Sequence, residues 1–140
     1  VREIDGVNPT RLIVDRGRRL NRESVVFDGT APTIQYVDHR IVHGQVIGKP
    51  NCESIAIDFE QNIIPQIFDD LHKRNIQSMI VEGGATTIQA FIDAGLWDEA
   101  RVLVGDKTFG SGLTAPHLNC PIPTPTKIGA DQLFSYFRTA

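Results

Sequence analysis

The stretch that decides the predicted fold is Ser78-Met79-Ile80-Val81-Glu82-Gly83-Gly84-Ala85-Thr86-Thr87. Residues 79–81 form a continuous apolar run, which is typical of a strand buried on both faces by helices. Two glycines follow the glutamate and allow a sharp turn of the backbone. Beyond them, Ile88, Phe91 and Ile92 recur at helical spacing. The stretch therefore predicts a strand, a tight glycine turn and a helix.

The glycine turn suggests an anion site. The first N–H groups of a helix have no intrahelical partner, and a backbone without side chains lets a phosphate approach them closely. Glu82 would stand at the carboxyl end of the strand, where open α/β sheets bind ligands. The alternative is a simple packing turn with a surface or capping carboxylate, since a full G-x-G-x-x-G is absent. These residues alone leave both interpretations open.

Composition limits the classes of protein to consider. With 140 residues, 41% of them hydrophobic, the chain is long enough for one domain with one core. A net charge of −3 gives no overall attraction to nucleic acid or to an anionic membrane. No apolar run approaches the roughly 20 residues of a membrane span, and no signal sequence opens the chain. We therefore predict a cytoplasmic protein with reduced thiols at Cys52 and Cys120.

Arginines cluster early in the chain. Arg11-Leu12-Ile13-Val14-Asp15 reads as a buried strand, and a basic turn follows it. Five guanidinium groups lie in or beside this turn, at Arg11, Arg16, Arg18, Arg19 and Arg22. Arginine forks suit phosphate oxygens, including the 2′-phosphate that distinguishes NADP from NAD. A solvated basic turn is the competing interpretation, whereas nucleic acid is disfavoured because no aromatic residues are interleaved.

The remaining pattern predicts a mixed α/β fold. Expected strands are a short strand or extended edge at 24–27, then 32–37, 53–58 and 99–104, and an antiparallel pair at 126–128 and 133–137. Asn62 caps a helix predicted from Ile63 to about Arg74, and Gly95 ends the helix that follows the glycine turn. Residues 38–50 and 105–119 are predicted loops. His39 and His43 lie in the first of these and lack the partners of a metal site. The result is a mainly parallel sheet flanked by helices, with an antiparallel C-terminal strand pair.

Four segments together resemble a known family. They are Leu12-Ile13-Val14-Asp15-Arg16, Ile80-Val81-Glu82-Gly83-Gly84-Ala85-Thr86, Ala94-Gly95-Leu96-Trp97-Asp98-Glu99 and Lys107-Thr108-Phe109-Gly110. In order and spacing they are similar to the reductase domain of the bifunctional riboflavin-biosynthesis deaminase/reductase. The resemblance implies a dihydrofolate-reductase-like fold. It also implies NADPH-dependent reduction of the ribose of 5-amino-6-(5-phosphoribosylamino)uracil to the ribityl product.

The same resemblance assigns roles to residues. Glu82 would be the catalytic group and would face the substrate, which Arg2 would also contact. The cofactor NADPH would lie on Arg16 and on the start of the helix, at Gly84, Ala85, Thr86, Thr87, Ile88 and Gln89. No metal site is implied.

The chain also departs from the family. The family domain begins with a strand, a helix and a strand that have no counterpart after Val1, so we predict a partial reductase domain over residues 1–140 that is inactive alone. In the parent protein, an N-terminal zinc deaminase domain would precede it. A homodimer is expected. Two alternatives remain: another dihydrofolate-reductase-like NADPH reductase, or a non-catalytic dimerisation fragment that associates through edge strands and Trp97.

Overall fold

A three-stranded parallel sheet is the framework of the first half of the chain. Its strands lie in the order β1 (Arg11–Val14), β2 (Thr33–Asp38) and β3 (Cys52–Ile57). The computed structural model describes residues 6–41 and 50–138. Every residue of the central strand β2 is buried, as expected for a parallel strand with neighbours on both sides. All three strands were predicted to within one residue at each end.

Helix α1 (Ile63–Lys73) follows the parallel sheet and begins where the sequence predicted. The Asn62 side chain accepts the N–H of Ile64 at 3.1 Å, which satisfies one of the unpaired donors of the first turn. Ile64, Ile67 and Leu71 form its buried stripe. Both the cap and the apolar spacing are local signals, so the helix is confirmed.

The segment predicted as a strand or extended edge at residues 24–27 is instead a turn of 3₁₀-helix, Val25–Phe27. The N–H of Phe27 donates to the carbonyl of Ser24 at 2.9 Å, so the hydrogen bonds are short-range. The Arg11 guanidinium also donates to the carbonyl of Val26 at 3.0 Å. Phe27 is fully buried by this arrangement. Burial of the Phe27 ring therefore outweighs the strand preference of Val25 and Val26.

An antiparallel sheet organises the second half of the chain, where helix α2 (Ala85–Asp93) comes first. The strands lie in the order β4 (Glu99–Val104), β6 (Asp131–Phe137) and β5 (Thr126–Ile128). The predicted C-terminal pair is confirmed as the β5–β6 hairpin, in which Gly129 takes a φ of +64° in the turn. Pairing of β6 with β4 is an addition that the pattern did not predict.

Gly95 ends α2 in the predicted left-handed conformation, with a φ of +64°. Its N–H donates to the carbonyl of Ile92 at 2.9 Å, and the N–H of Leu96 donates to the carbonyl of Phe91 at 3.2 Å. This pair of bonds is a Schellman motif, which satisfies two carbonyls of the last turn.

The central strand predicted at residues 79–81 is wrong: the segment has no regular structure, and the Ile80 side chain is 85% exposed. Within residues 6–41 and 50–138, no strand pairs with residues 78–82. An apolar run becomes a strand only when neighbouring strands satisfy its backbone groups. The mixed α/β class is confirmed, with its strands in separate parallel and antiparallel sheets.

The chain divides into two units, Val1–Gln77 (unit 1) and Ser78–Ala140 (unit 2). Unit 1 holds the parallel sheet and α1, and unit 2 holds α2 and the antiparallel sheet.

Candidate functional site

The N-terminus of α2 presents unpaired amides. Gly84 is the N-cap residue, in an extended conformation, and no side chain caps the helix. Its carbonyl accepts the N–H groups of Thr87 at 3.0 Å and Ile88 at 3.3 Å. The N–H groups of Ala85 and Thr86 have no partner in the part of the chain that the structure describes. Together with the helix dipole, they form an anion-binding arrangement.

The two glycines ahead of α2 keep this end of the helix open. Gly83 has a φ of +149°, a conformation that other residues rarely adopt. Within the ranges 6–41 and 50–138, a Cβ added to Gly83 or to Gly84 would meet nothing within 4 Å. Among the described residues, no neighbouring atom therefore packs against either glycine. The open space is where a ligand phosphate would approach the helix.

The side chains predicted around this turn differ in their surroundings. Glu82 is exposed and makes no hydrogen bond or ion pair within the described ranges. The Gln89 side chain, in contrast, holds the backbone of the following loop: its Oε1 accepts the N–H of His117 at 2.8 Å, and its Nε2 donates to the His117 carbonyl at 3.3 Å. Gln89 Nε2 also donates to Asp93 at 2.8 Å. Glu82 is thus free to contact a ligand, whereas the Gln89 amide anchors a loop.

A second polar region lies in unit 1, at the carboxyl end of β1. Asp15 is only 6% exposed, and its carboxylate accepts the backbone N–H groups of Arg19 at 2.9 Å and Leu20 at 3.1 Å. The Gln35 side chain of β2 donates to it as well, at 2.9 Å. A buried carboxylate with three donors is well satisfied. Asp15 therefore holds the arginine-rich turn in a fixed shape.

Arg16 lies in this turn and belongs to a network of two arginines and two carboxylates. It donates to Asp38 at 3.3 Å and to Glu60 at 2.7 Å, and its guanidinium lies 5.7 Å from the centre of the Phe59 ring. Arg40 binds the same carboxylates, Asp38 at 2.6 Å and Glu60 at 2.9 Å. The two positive and two negative charges of this network sum to zero.

Two carboxyl groups of unit 1 have lowered pKa values. Hydrogen bonds from the Arg40 side chain, then from its backbone N–H, hold the pKa of Asp38 well below its usual range. The Thr30 hydroxyl, followed by Arg11, lowers the pKa of Asp28 from 3.8 to about 2. Both groups are charged in the folded protein at neutral pH. They link the stability of unit 1 to pH.

We expect unit 1 to lose stability in acid because of these two groups. A carboxyl group whose folded pKa lies below its unfolded pKa stabilises the fold above the unfolded value, and that contribution is lost as pH falls through the folded value. For Asp28 the window runs from 3.8 down to about 2, and for Asp38 it extends lower. The urea midpoint should therefore fall across this range, and less steeply in Asp38→Asn. Asp69→Asn, a change at an exposed aspartate, serves as the control and should keep the wild-type pH dependence. If the urea midpoint of Asp38→Asn falls with pH as steeply as that of wild type, Asp38 does not stabilise the fold in this way.

Sequence reasoning missed Asp38, Arg40 and Glu60. A signal was nevertheless present, because each parallel strand ends in or is followed by an aspartate, at Asp15, Asp38 and Asp58. The carboxyl ends of parallel strands meet at one edge of a sheet, so these side chains gather there.

The structure groups some predicted residues and not others. It brings Glu82 and residues 84–89 together at the start of α2 in unit 2, and it places Arg16 at the edge of the parallel sheet in unit 1. Arg2 and His43 lie outside the described residues. Among the described residues, no three His, Cys, Asp or Glu side chains are grouped as metal ligands. No helix in the same ranges is long and apolar enough to cross a membrane.

Comparison with known proteins identifies the family. The model of the RibD C-terminal domain matches residues 1–120, which include the arginine-rich turn, Glu82 and the open N-terminus of α2. The chain belongs to the RibD C-terminal domain family. The resemblance seen in the four sequence segments is confirmed.

Curated relatives of this RibD C-terminal domain include pyrimidinone phosphate reductases and a riboflavin biosynthesis protein. The chain is 27% identical over 99 residues to the 2,5-diamino-6-ribosylamino-4(3H)-pyrimidinone 5′-phosphate reductase of Archaeoglobus fulgidus, covering 70% of this chain and 45% of the relative. It is 27% identical over 128 residues to the riboflavin biosynthesis protein RibD of Haemophilus influenzae, covering 90% and 32%. The chain thus spans a third to under a half of these relatives.

A solved structure agrees on the fold. The deaminase/5-amino-6-(5-phosphoribosylamino)uracil reductase of Thermotoga maritima superposes with a TM-score of 0.75 at 24% identity, covering 96% of this chain and 39% of the other. At this identity the likeness supports the architecture alone.

Proposed function

We propose that the chain is the reductase domain of a riboflavin-biosynthesis enzyme that reduces the ribose of 5-amino-6-(5-phosphoribosylamino)uracil with NADPH. The family match across residues 1–120 carries the proposal, because it contains the glutamate, the two glycines and the amides of α2 in one segment. The oxidoreductase class is supported by the two archaeal relatives, which are named as reductases. A cytoplasmic location is part of this proposal.

The open N-terminus of α2 suits the diphosphate of the cofactor. Ala85 and Thr86 offer unpaired N–H groups, and the glycines leave room beside them. Residues 84–89 would hold the cofactor mainly through the main chain, since the Gln89 amide already binds His117. From the family resemblance, we also propose Arg16 as a cofactor contact and Arg2 as a substrate contact.

Residues 84–89 would hold the reduced nicotinamide cofactor, which when bound would supply a hydride for the sugar carbon that is carbonyl-like in the open-chain or Schiff-base form of the substrate. The chain's own residues position the reactants. Glu82, exposed beside the glycine turn, would accept hydrogen bonds from the substrate and hold the acceptor carbon in line. The reduction also consumes one proton, which the solvent would deliver.

We propose that the complete enzyme carries a strand, a helix and a strand ahead of Val1, preceded by a zinc deaminase domain, and that it forms a homodimer. The deaminase is suggested by the name of the Thermotoga relative. Residues 78–82 gain regular structure in this proposal, because the added strands satisfy their backbone groups. The chain alone would be inactive.

The base of the substrate has two candidates. The archaeal relative is named for a diaminopyrimidinone ribosyl phosphate, whereas the Thermotoga protein is named for the uracil compound. The diamino compound carries an amino group at the ring position where the uracil compound carries a carbonyl. The uracil compound is the main proposal, and the diamino compound is the second candidate.

Turnover by the complete enzyme tests the function. We expect loss of reduced-nicotinamide absorbance with the uracil substrate, faster with NADPH than with NADH, and stronger protection from heat by NADPH. Parallel assays with the diaminopyrimidinone phosphate and with dihydrofolate separate the candidates. The proposal would be refuted if the enzyme oxidised NADPH only with dihydrofolate as substrate. It would also be refuted if the enzyme oxidised NADPH with none of the three compounds.

A further inference from the structure

The loop between β4 and β5 is fixed at two points. It leaves β4 after Val104, which is the partner of Gln132 in the antiparallel ladder. At His117 it is held by the Gln89 side chain of α2, whose Oε1 accepts the His117 N–H at 2.8 Å and whose Nε2 donates to the His117 carbonyl at 3.3 Å. Residues 105–116, between these two points, form no helix or strand. We call residues 105–117 the anchored loop.

The middle of the anchored loop holds two large apolar side chains in solvent. Phe109 is 85% exposed and Leu113 is 96% exposed. Gly110 and Gly112 lie between them, and a Cβ added to either glycine would meet nothing within 4 Å among the described residues. Glycine allows the backbone to change direction at these points. Covering the two side chains would remove apolar surface from water, which favours a closed arrangement of the loop.

The contact at His117 places the anchored loop beside the open N-terminus of α2. Ala85 and Gln89 are four residues apart in this helix, so they lie on one face and about 6 Å apart along its axis. Gln89 therefore holds the loop one turn from the unpaired N–H groups of Ala85 and Thr86. Four extended residues span up to about 13 Å, which brings Leu113 within reach of the helix start.

The helix start and the anchored loop offer complementary chemistry. The N–H groups of Ala85 and Thr86 suit the phosphates of a nucleotide, whereas a nucleotide's planar rings need apolar or aromatic contacts. Phe109 and Leu113 are side chains of that kind, and both are exposed. The loop therefore supplies what the main chain of the helix start does not.

We propose that the anchored loop is a lid, in which Phe109 and Leu113 close over a ring of the nucleotide bound at the start of α2. Gln89 is the positioning residue that holds the lid beside this site. The inference rests on the proposed function for the identity of the nucleotide. A closed lid excludes water from the reacting groups and keeps the bound ring in place.

The test compares two ligands of the complete enzyme, NADP⁺ and inorganic pyrophosphate. Both carry a diphosphate, but only NADP⁺ carries rings. Phe109→Ser should raise the Kd of NADP⁺ about tenfold and leave that of pyrophosphate within about twofold of wild type, since only a ring loses its apolar contact. Leu113→Ser should act in the same direction. Calorimetry measures both constants, and both variants should keep the wild-type melting temperature because the two side chains are exposed.

Chymotrypsin provides a second readout, which tests the role of Gln89. The protease cleaves after Phe109 while the lid is open, so saturating NADP⁺ should slow this cleavage in the wild-type enzyme. In Gln89→Ala the protection should be largely lost even at saturation. Gln89→Glu should retain part of it, because a carboxylate still accepts the His117 N–H. A residue that only contacted the cofactor would change the Kd of NADP⁺ and leave the protection at saturation intact.

The matched control is Ile122→Ser. Ile122 is an apolar residue of unit 2 that is 79% exposed, but it lies beyond His117 and outside the lid. Its substitution should leave both Kd values and the cleavage after Phe109 unchanged. An equal loss of NADP⁺ affinity in Ile122→Ser would overturn the inference, because the effect would not be specific to the lid.

Three further results would overturn the inference. The first is wild-type affinity for NADP⁺ in both Phe109→Ser and Leu113→Ser, and the second is cleavage after Phe109 that NADP⁺ does not slow. The third is a dimer that dissociates in Phe109→Ser while NADP⁺ affinity is kept, since the loop would then contact a second copy. Turnover of the uracil substrate by the wild-type enzyme separates the two proposals: normal turnover with unaffected variants refutes the lid alone, whereas neither turnover nor NADP⁺ binding refutes both.

Discussion

In the complete enzyme, Glu82→Gln is expected to reduce kcat by roughly 10²-fold, with the affinity for NADPH nearly unchanged. Glu82 is exposed beside Gly83. The groups that would hold the cofactor are main-chain amides of α2, which do not include the Glu82 side chain. Loss of its charge therefore affects the substrate and the acceptor carbon, and the phosphate site stays intact. Glu82→Ala should have at least the same effect. Single-turnover rates and cofactor titration measure the two quantities independently.

A matched control for this prediction is Glu99→Gln. Glu99 is also an exposed carboxylate of unit 2, but it pairs with Arg101 on β4 at 2.7 Å and lies far along the chain from the glycine turn. Its loss should leave kcat within about twofold of wild type. Equal rates in Glu82→Gln and wild type would remove Glu82 from the mechanism. A large rise in the Kd of NADPH would instead place the side chain at the cofactor.

Asp15→Ala should destabilise unit 1 by about 2–4 kcal/mol, because it leaves one buried and two partly buried donors without their acceptor. The affected donors are the backbone N–H groups of Arg19 and Leu20 and the side-chain amide of Gln35. The arginine-rich turn would lose its fixed shape as well. A urea titration followed by circular dichroism gives the free energy of unfolding.

Two companion variants complete the comparison. Asp15→Asn keeps the shape and one acceptor oxygen, so its loss should be smaller than that of the alanine variant. Asp69→Ala removes an exposed aspartate of α1 and should change stability by no more than about 0.5 kcal/mol. If Asp15→Ala is as stable as Asp69→Ala, the hydrogen bonds to Asp15 do not organise the turn.

Local signals were sufficient for much of the fold. The Asn62 cap and the apolar spacing of α1 act within one or two turns, and Gly95 ends α2 by its own backbone conformation. The same holds for the β5–β6 hairpin, whose two-residue turn contains Gly129. Each of these elements could be predicted because its cause lies within a few residues.

Contacts between distant residues explain what was not predicted. Residues 79–81 have the composition of a buried strand, but strand formation depends on partners elsewhere in the chain. Arg16 pairs with Asp38 over 22 positions of sequence, and Glu60 pairs with Arg16 and Arg40 over 44 and 20 positions. Sequence reasoning found the basic turn and the glycine turn, but which arginine keeps its charge available depends on the carboxylates that the fold brings beside it.

Helix α2 has only nine residues, from Ala85 to Asp93, and a helix of this length is scarcely stable in isolation. The second half of α2 is stabilised by its Schellman motif and by the hydrogen bonds between Gln89 and His117. Its first turn, in contrast, has no side-chain cap. An anion at Ala85 and Thr86 would act as the missing cap and suppress fraying. Because Gln89 of the same helix binds the loop at His117, the order of the loop and the binding of an anion are thermodynamically linked. Hydrogen exchange in that loop should therefore slow when an anion occupies the helix start, and a change that immobilises the loop should tighten anion binding.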